Sequence, residues 1–129
     1  DKEKWRNSNN NSLVVQASFG NISFLFPGDI MAAAEKELVR IAGAQLESTV
    51  LIAPHHGSRS SSSELFLNKV RPEVVIVSSG RNRRFKFPHP TVLQSYENHG
   101  YNIFRTNISG AVRLKTDGRH LLIKSWDSF

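Results

Sequence analysis

Cysteine is absent from this 129-residue chain, which excludes disulfides and thiolate metal sites and suits an oxidising compartment without requiring one. Long apolar runs are absent as well: none approaches the ~20 residues that a membrane-spanning helix needs. The opening DKEKWRNSNNNS is polar, has no apolar core of a signal peptide and starts without methionine, as expected of a piece of a longer protein. There is no internal repeat. Ser58 and Ser60 to Ser63 have no GxSxG elbow and no base beside them, which argues against a serine nucleophile.

What remains is an ordinary globular composition, 39% hydrophobic and 22% charged, in a length that suits one domain. The polar residues 1–12 read as a lead-in and 13–126 as the domain. A formal net charge of +6 with a pI near 10.1 points to a polyanionic partner such as nucleic acid.

Residues 13–19 (LVVQASF) and 22–26 (ISFLF) read as strands joined at Gly20-Asn21, a hairpin pattern. Residues 30–42 read as a helix with Ala34, Leu38, Ile41 and Ala42 on its apolar face and Glu35, Lys36 and Arg40 elsewhere. TVLIA (49–53) and VVIVS (74–78) have the pattern of strands covered on both faces. Ser61 with Glu64 three residues later predicts the cap of a helix between them, and Pro90 opens another that Gly100 closes. Three β-like runs follow, at 101–105, 110–115 and 120–125. The order ββ-α-β-α-β-α-βββ predicts a layered α/β (α+β) fold, with its chemistry in loops at the carboxyl ends of strands.

Those loops hold the candidate residues. Asp29 follows a strand and precedes a helix, so it suits either an N-cap or a carboxylate ligand to Zn²⁺ or Mn²⁺. His55 and His56 sit between Pro54 and Gly57-Ser58, where imidazoles have little core-packing use. Adjacent histidines project differently, so one of them binds an ion directly while its neighbour assists. His89, between two prolines, is aimed at a substrate or simply starts a helix; His99 and His120 read as surface residues. Arg81, Arg83, Arg84 and Lys86 surround Phe85 and Phe87, a pattern that suits phosphates paired with cations and bases stacked on rings, or else a solvated basic loop. Arg59 adds to the same field.

Taken in order, NNNSLVV, FLFPGD, LIAPHHGSRSSSS, GRNRRFKFPHPTVL, FRT and SGAVRL resemble the C-terminal metallo-β-lactamase-like domain of the ComEC/Rec2 DNA-uptake proteins, from about Asn9 to Lys124. The resemblance implies the C-terminal half of an αββα sandwich that holds one or two divalent metal ions, Zn or Mn, at its edge and activates water for phosphodiester hydrolysis. It implies Asp29 as a metal bridge, His55 and His56 as the histidine pair, Asp29 and His55 as catalytic, and His89 at phosphate or metal. It further implies single-stranded DNA as partner, together with the remaining N-terminal half of the domain and a membrane channel. The expected location is a soluble domain on the outer, periplasmic side of the inner membrane.

This chain departs from the family pattern in two ways. The family's HxHxDH motif lies upstream of the matching region, and nothing in residues 1–129 replaces it; Phe87 stands where some relatives have a histidine. Half a ligand set predicts weak metal binding and little hydrolysis by this piece alone, and a half-sandwich with an open apolar face predicts a homodimer. Two other functions suit the same residues: a stand-alone hydrolase of this fold, and a non-catalytic nucleic-acid-binding module.

Overall fold

The two runs around Gly20-Asn21 pair as antiparallel strands β1 (Val15–Phe19) and β2 (Ile22–Phe26). The computed structural model describes residues 7–81 and 84–126. After β2 come α1 (Ala32–Ala42), β3 (Val50–Ile52), α2 (Glu64–Val70), β4 (Val74–Val77), α3 (Pro90–Asn98) and β5 (Asn102–Arg105). A one-turn helix α4 (Thr106–Ser109) then leads to the hairpin β6 (Val112–Thr116) and β7 (Leu121–Ser125). The last two strands start one or two residues later than the apolar pattern predicts, and α4 has no apolar periodicity to reveal it.

Strands β1 to β5 form one sheet in sequential order, parallel from β2 onward, and β6–β7 form a separate antiparallel pair. Alternation along the strands separates two cores. Leu25, Leu51, Val75 and Val77 face the helices and pack with Phe66, Leu67, Val70 and Tyr96. Val50, Val74 and Ile76 face the other way, against Val112, Leu114, Leu121 and Ile123 of the hairpin. Each fully buried aliphatic of this kind contributes about 1.5–3 kcal/mol. The result is a mixed α/β fold of three layers: helices, five-stranded sheet and hairpin. The two hairpin turns meet: Asn21 N–H donates to the Gly118 carbonyl at 2.7 Å, and a Cβ on Gly20 would stand 2.4 Å from that oxygen.

Two details differ from the sequence expectation. The cap of α2 is Ser63, whose hydroxyl accepts from Phe66 N–H, while Ser61 instead donates its hydroxyl to the Ile30 carbonyl. In a run of serines the capping pattern has several registers, and tertiary contacts choose among them. On α1, Glu35 is fully buried and Ile41 is exposed, the reverse of their polarity. The edge strand β1 has no buried residue, and Leu13, Val15, Phe19 and Phe26 leave an apolar surface there.

Candidate functional site

The carboxyl ends of β2, β3 and β4 place three loops side by side: Pro27 to Ile30, Pro54 to Gly57, and Ser78 to Gly80. They enclose a cavity of about 450 Å³ lined by Asp29, His55, His56, Asn9, Ser79, Gly80, Phe85 and Phe87. Open parallel sheets place ligands at such a strand edge.

Asp29 does not cap α1, whose N-cap is Met31. Its backbone is held from the lead-in: Asp29 N–H donates to Ser12 Oγ at 3.1 Å, and Met31 N–H to the buried Asn10 Oδ1 at 2.9 Å. Residues 8–12, polar throughout, thus fold against the site. His55 N–H donates to the Gly28 carbonyl at 3.0 Å, tying the Asp29 loop to the histidine loop.

Both histidines have left-handed backbones, φ 49° for His55 and 56° for His56. Such conformations cost roughly 1–2 kcal/mol each and persist where the surroundings enforce them, often at functional sites. Gly57 follows at φ 80°, with Pro88 so close that a Cβ would stand 2.6 Å from the proline Cβ. His89 N–H donates to the Gly57 carbonyl at 2.9 Å, so the Phe85–His89 loop is seated on the histidine turn.

The two imidazoles are held differently. His56 Nδ1 lies 2.8 Å from the Ser78 carbonyl oxygen, which can only accept, so Nδ1 carries the proton and donates. Its Nε2 then faces Asp29 Oδ1 at 3.5 Å, with both side chains about half exposed to the cavity. Two lone-pair donors facing each other call for a cation between them, either a proton or a metal. Ligand atoms each ~2.1 Å from a tetrahedral metal stand about 3.4 Å apart, so the spacing suits the second. The backbone carbonyl behind His56 is the usual support of a metal-bound histidine. His55 is engaged elsewhere, with Nε2 3.4 Å from the Asn9 amide nitrogen and Nδ1 3.4 Å from Ser60 Oγ. Among the described residues no group of three His, Cys, Asp or Glu comes together as a full metal site. Asp29 and His56 are residue types that can hold a divalent ion, but two such groups are fewer than a full site.

Aromatic rings line the rest of the cavity. Phe87 lies 6.3 Å from His56 at 26° and 5.8 Å from His55, and it stacks on Phe85 at 5.9 Å and 13°. Arg81, Arg84 and Lys86 are exposed around these rings, with the Arg84 guanidinium 5.9 Å above Phe85; Arg83 lies outside the described residues. None of the phosphate candidates among the described residues lines the cavity itself. Arg59 lines a separate serine-rich cleft, and His89 caps α3, its Nδ1 accepting from Thr91 N–H.

Behind the site, Glu35 accepts from Ser62 N–H at 2.5 Å and Ser63 N–H at 2.8 Å, which fixes the serine loop. Burial pushes its carboxyl above the ordinary value, outweighing the pull of the Ser63 and Ser62 hydrogen bonds. Sequence polarity placed Glu35 on the solvent side; the only signal was the uncompensated run of backbone donors in the serine tract. His99, read as a surface residue, is partly covered: it stacks on Tyr101 at 4.9 Å and meets Glu64 at 2.7 Å.

No protein-family model matches the chain. It is similar to ComE operon protein 3 of Bacillus subtilis, 32% identical over 111 residues, which is 86% of this chain and 14% of that protein. Competence protein ComA of Neisseria gonorrhoeae is 39% identical over 105 residues, 81% of this chain and 15% of the relative. Recombination protein 2 of Haemophilus influenzae is 38% identical over 109 residues, 84% and 14% respectively. The chain therefore spans about 14–15% of the length of these relatives. With this similarity over most of its residues, the chain belongs to the ComEC/Rec2 family of competence proteins, matching one segment of that family's much longer members.

Proposed function

We infer that this segment supplies part of a metal-dependent phosphodiester hydrolase that acts on DNA during its uptake. The observation that carries the reading is the His56–Asp29 pair at 3.5 Å, with His56 oriented by the Ser78 carbonyl in a cavity open to substrate. Asp29 and His56 hold a divalent ion, Zn²⁺ or Mn²⁺, and His55 stands beside them, positioned by Asn9 and Ser60. The ion, when bound, supplies an activated water and offsets charge on the phosphoryl oxygens. Phe85 and Phe87 offer ring faces to unpaired bases, and Arg81, Arg84 and Lys86 attract the backbone, which favours a single strand.

The remaining ligands come from the upstream segment bearing the HxHxDH motif. Its docking surface is the outer edge of β1 with Leu13, Val15, Phe19 and Phe26, a sheet edge open among the described residues and of the kind that native proteins cover. Relatives of this family are competence proteins, and no helix among the described residues is long and apolar enough to cross a membrane. By the family resemblance, we place the segment as a domain beside the membrane, on its outer face.

The test is cleavage of a labelled single-stranded oligonucleotide with Mn²⁺ by a longer polypeptide carrying this chain and the upstream motif. Cleavage that Asp29→Ala abolishes is expected. Binding without cleavage contradicts the hydrolase reading and leaves a nucleic-acid-binding module, and cleavage unaffected by Asp29→Ala removes Asp29 from the metal site.

A further inference from the structure

The cavity beside Asp29 and His56 is lined more by rings than by charge. His55, His56, Phe85 and Phe87 contribute four rings, Asp29 the one carboxylate and Asn9 the one carboxamide. Among the described residues no lysine or arginine lines it. Without an internal cation, an anionic group is costly to bring inside ahead of a metal ion, whereas a flat neutral group is not. A volume of about 450 Å³ is room for one small molecule, not for a run of nucleotides.

Phe87 is the hub of the rings. Its centroid lies 5.9 Å from Phe85, 5.8 Å from His55 and 6.3 Å from His56. The loop that carries it is fixed at both ends of this contact. Phe87 N–H donates to the Phe85 carbonyl at 2.8 Å, and Pro88 and His89 behind it are seated on Gly57. Asn9 is held by Ser12, whose N–H and hydroxyl both donate to the Asn9 backbone carbonyl, at 3.1 and 2.7 Å. The Asn9 side-chain nitrogen meets His55 Nε2 at 3.4 Å; a carboxamide has a second N–H and an acceptor oxygen to offer a ligand.

We propose that this cavity is a subsite for one unpaired nucleobase, which lies against the Phe87 ring with its hydrogen-bonding edge at the Asn9 carboxamide. The Watson–Crick edge of every base presents donors beside acceptors, and a ring face stacks on any base, so the subsite accepts all four. A base reaches such a cavity only out of the duplex stack, so the subsite selects single strands. That the base belongs to a DNA strand rests on the hydrolase reading above. A base is favoured over an aromatic side chain of a protein partner by the exposed Arg84 and Lys86. They alternate with Phe85 and Phe87 along the loop and suit the phosphates that flank a seated base.

The experiment titrates the isotope-labelled 129-residue chain, with metal chelated, with deoxyadenosine, thymidine and deoxyribose 5-phosphate. The amide resonances of Gly80 and of the Asn9 side chain are followed by magnetic resonance. Both nucleosides are expected to shift them, and deoxyribose 5-phosphate, which has the phosphate and no base, to leave them in place. Phe87→Ala is expected to weaken nucleoside binding by about tenfold or more. Asn9→Ala, followed at Gly80, should weaken it by about fivefold. Shifts with deoxyribose 5-phosphate alone, or no shifts with either nucleoside, overturn the proposal. Unchanged nucleoside affinity in a folded Phe87→Ala or Asn9→Ala does the same. If Phe87→Ala fails to fold by circular dichroism, Phe87→Leu keeps the apolar bulk and decides, and wild-type nucleoside affinity there overturns the stacking. A nucleoside has no phosphodiester to cleave and metal is absent, so failure here leaves the hydrolase reading standing. Nucleoside binding with no cleavage by the longer polypeptide sinks the hydrolase reading alone.

Discussion

The Glu35 carboxylate, fully buried on α1, accepts the backbone N–H of Ser62 at 2.5 Å, at a residue whose own φ is 62°. Its second oxygen takes Ser63 N–H, so one side chain fixes the loop whose Ser60 reaches His55. Glu35→Ala leaves one buried and one part-buried donor without this partner and is expected to cost about 2–4 kcal/mol, read from urea denaturation.

The same pair sets a pH dependence. Burial raises the folded-state pKa of Glu35, so the folded chain binds more protons than the unfolded chain between the two values. Stability from this group is therefore fully present below the unfolded pKa and is lost as pH rises through the folded one. The stability difference between wild type and Glu35→Ala should shrink as pH rises through and above the ordinary carboxylate value, other carboxylates cancelling in the comparison. A difference that grows over this range would contradict the burial argument.

Gly57 makes contact with Pro88 where a side chain has no room, at a φ of 80°. Gly57→Ala is expected to lose about 1–2 kcal/mol from the backbone conformation alone, and more from the clash. Because the Phe85–His89 loop is seated on this residue, quenching of a base analogue by Phe85 should fall with it. Unaltered unfolding midpoints would show that the loop accommodates the methyl.

The exposed cations Arg81, Arg84 and Lys86 are expected to act through counterion release. Replacing all three by alanine should flatten the salt slope of single-strand binding by up to about 2, at roughly 0.7 per phosphate contact. An unchanged slope would remove this loop from the binding surface.

The sheet and the loops that carry Asp29 and His55-His56 were legible because apolar runs ended abruptly at polar, proline- and glycine-bounded segments. The burial of Glu35 was not, since its reason is the orphan donors of a serine loop 27 residues away. Nor were the roles of Asn9, Asn10 and Ser12, which hold the site through hydrogen bonds and carry no apolar signal. His56 was separable from His55 only through the parallel register of β3 and β4, which brings the Ser78 carbonyl to its Nδ1. Arg105 was visible as part of FRT, but the burial of its Nε without a partner among the described residues arises only in the fold.

The most direct measurement is a calorimetric titration of Mn²⁺ into the longer polypeptide that contains this chain and the upstream motif. Asp29→Ala and His56→Ala are each expected to weaken binding by about 10- to 100-fold or more, and His55→Ala by less. Wild-type Mn²⁺ affinity in both Asp29→Ala and His56→Ala would contradict the assignment of this pair as metal ligands.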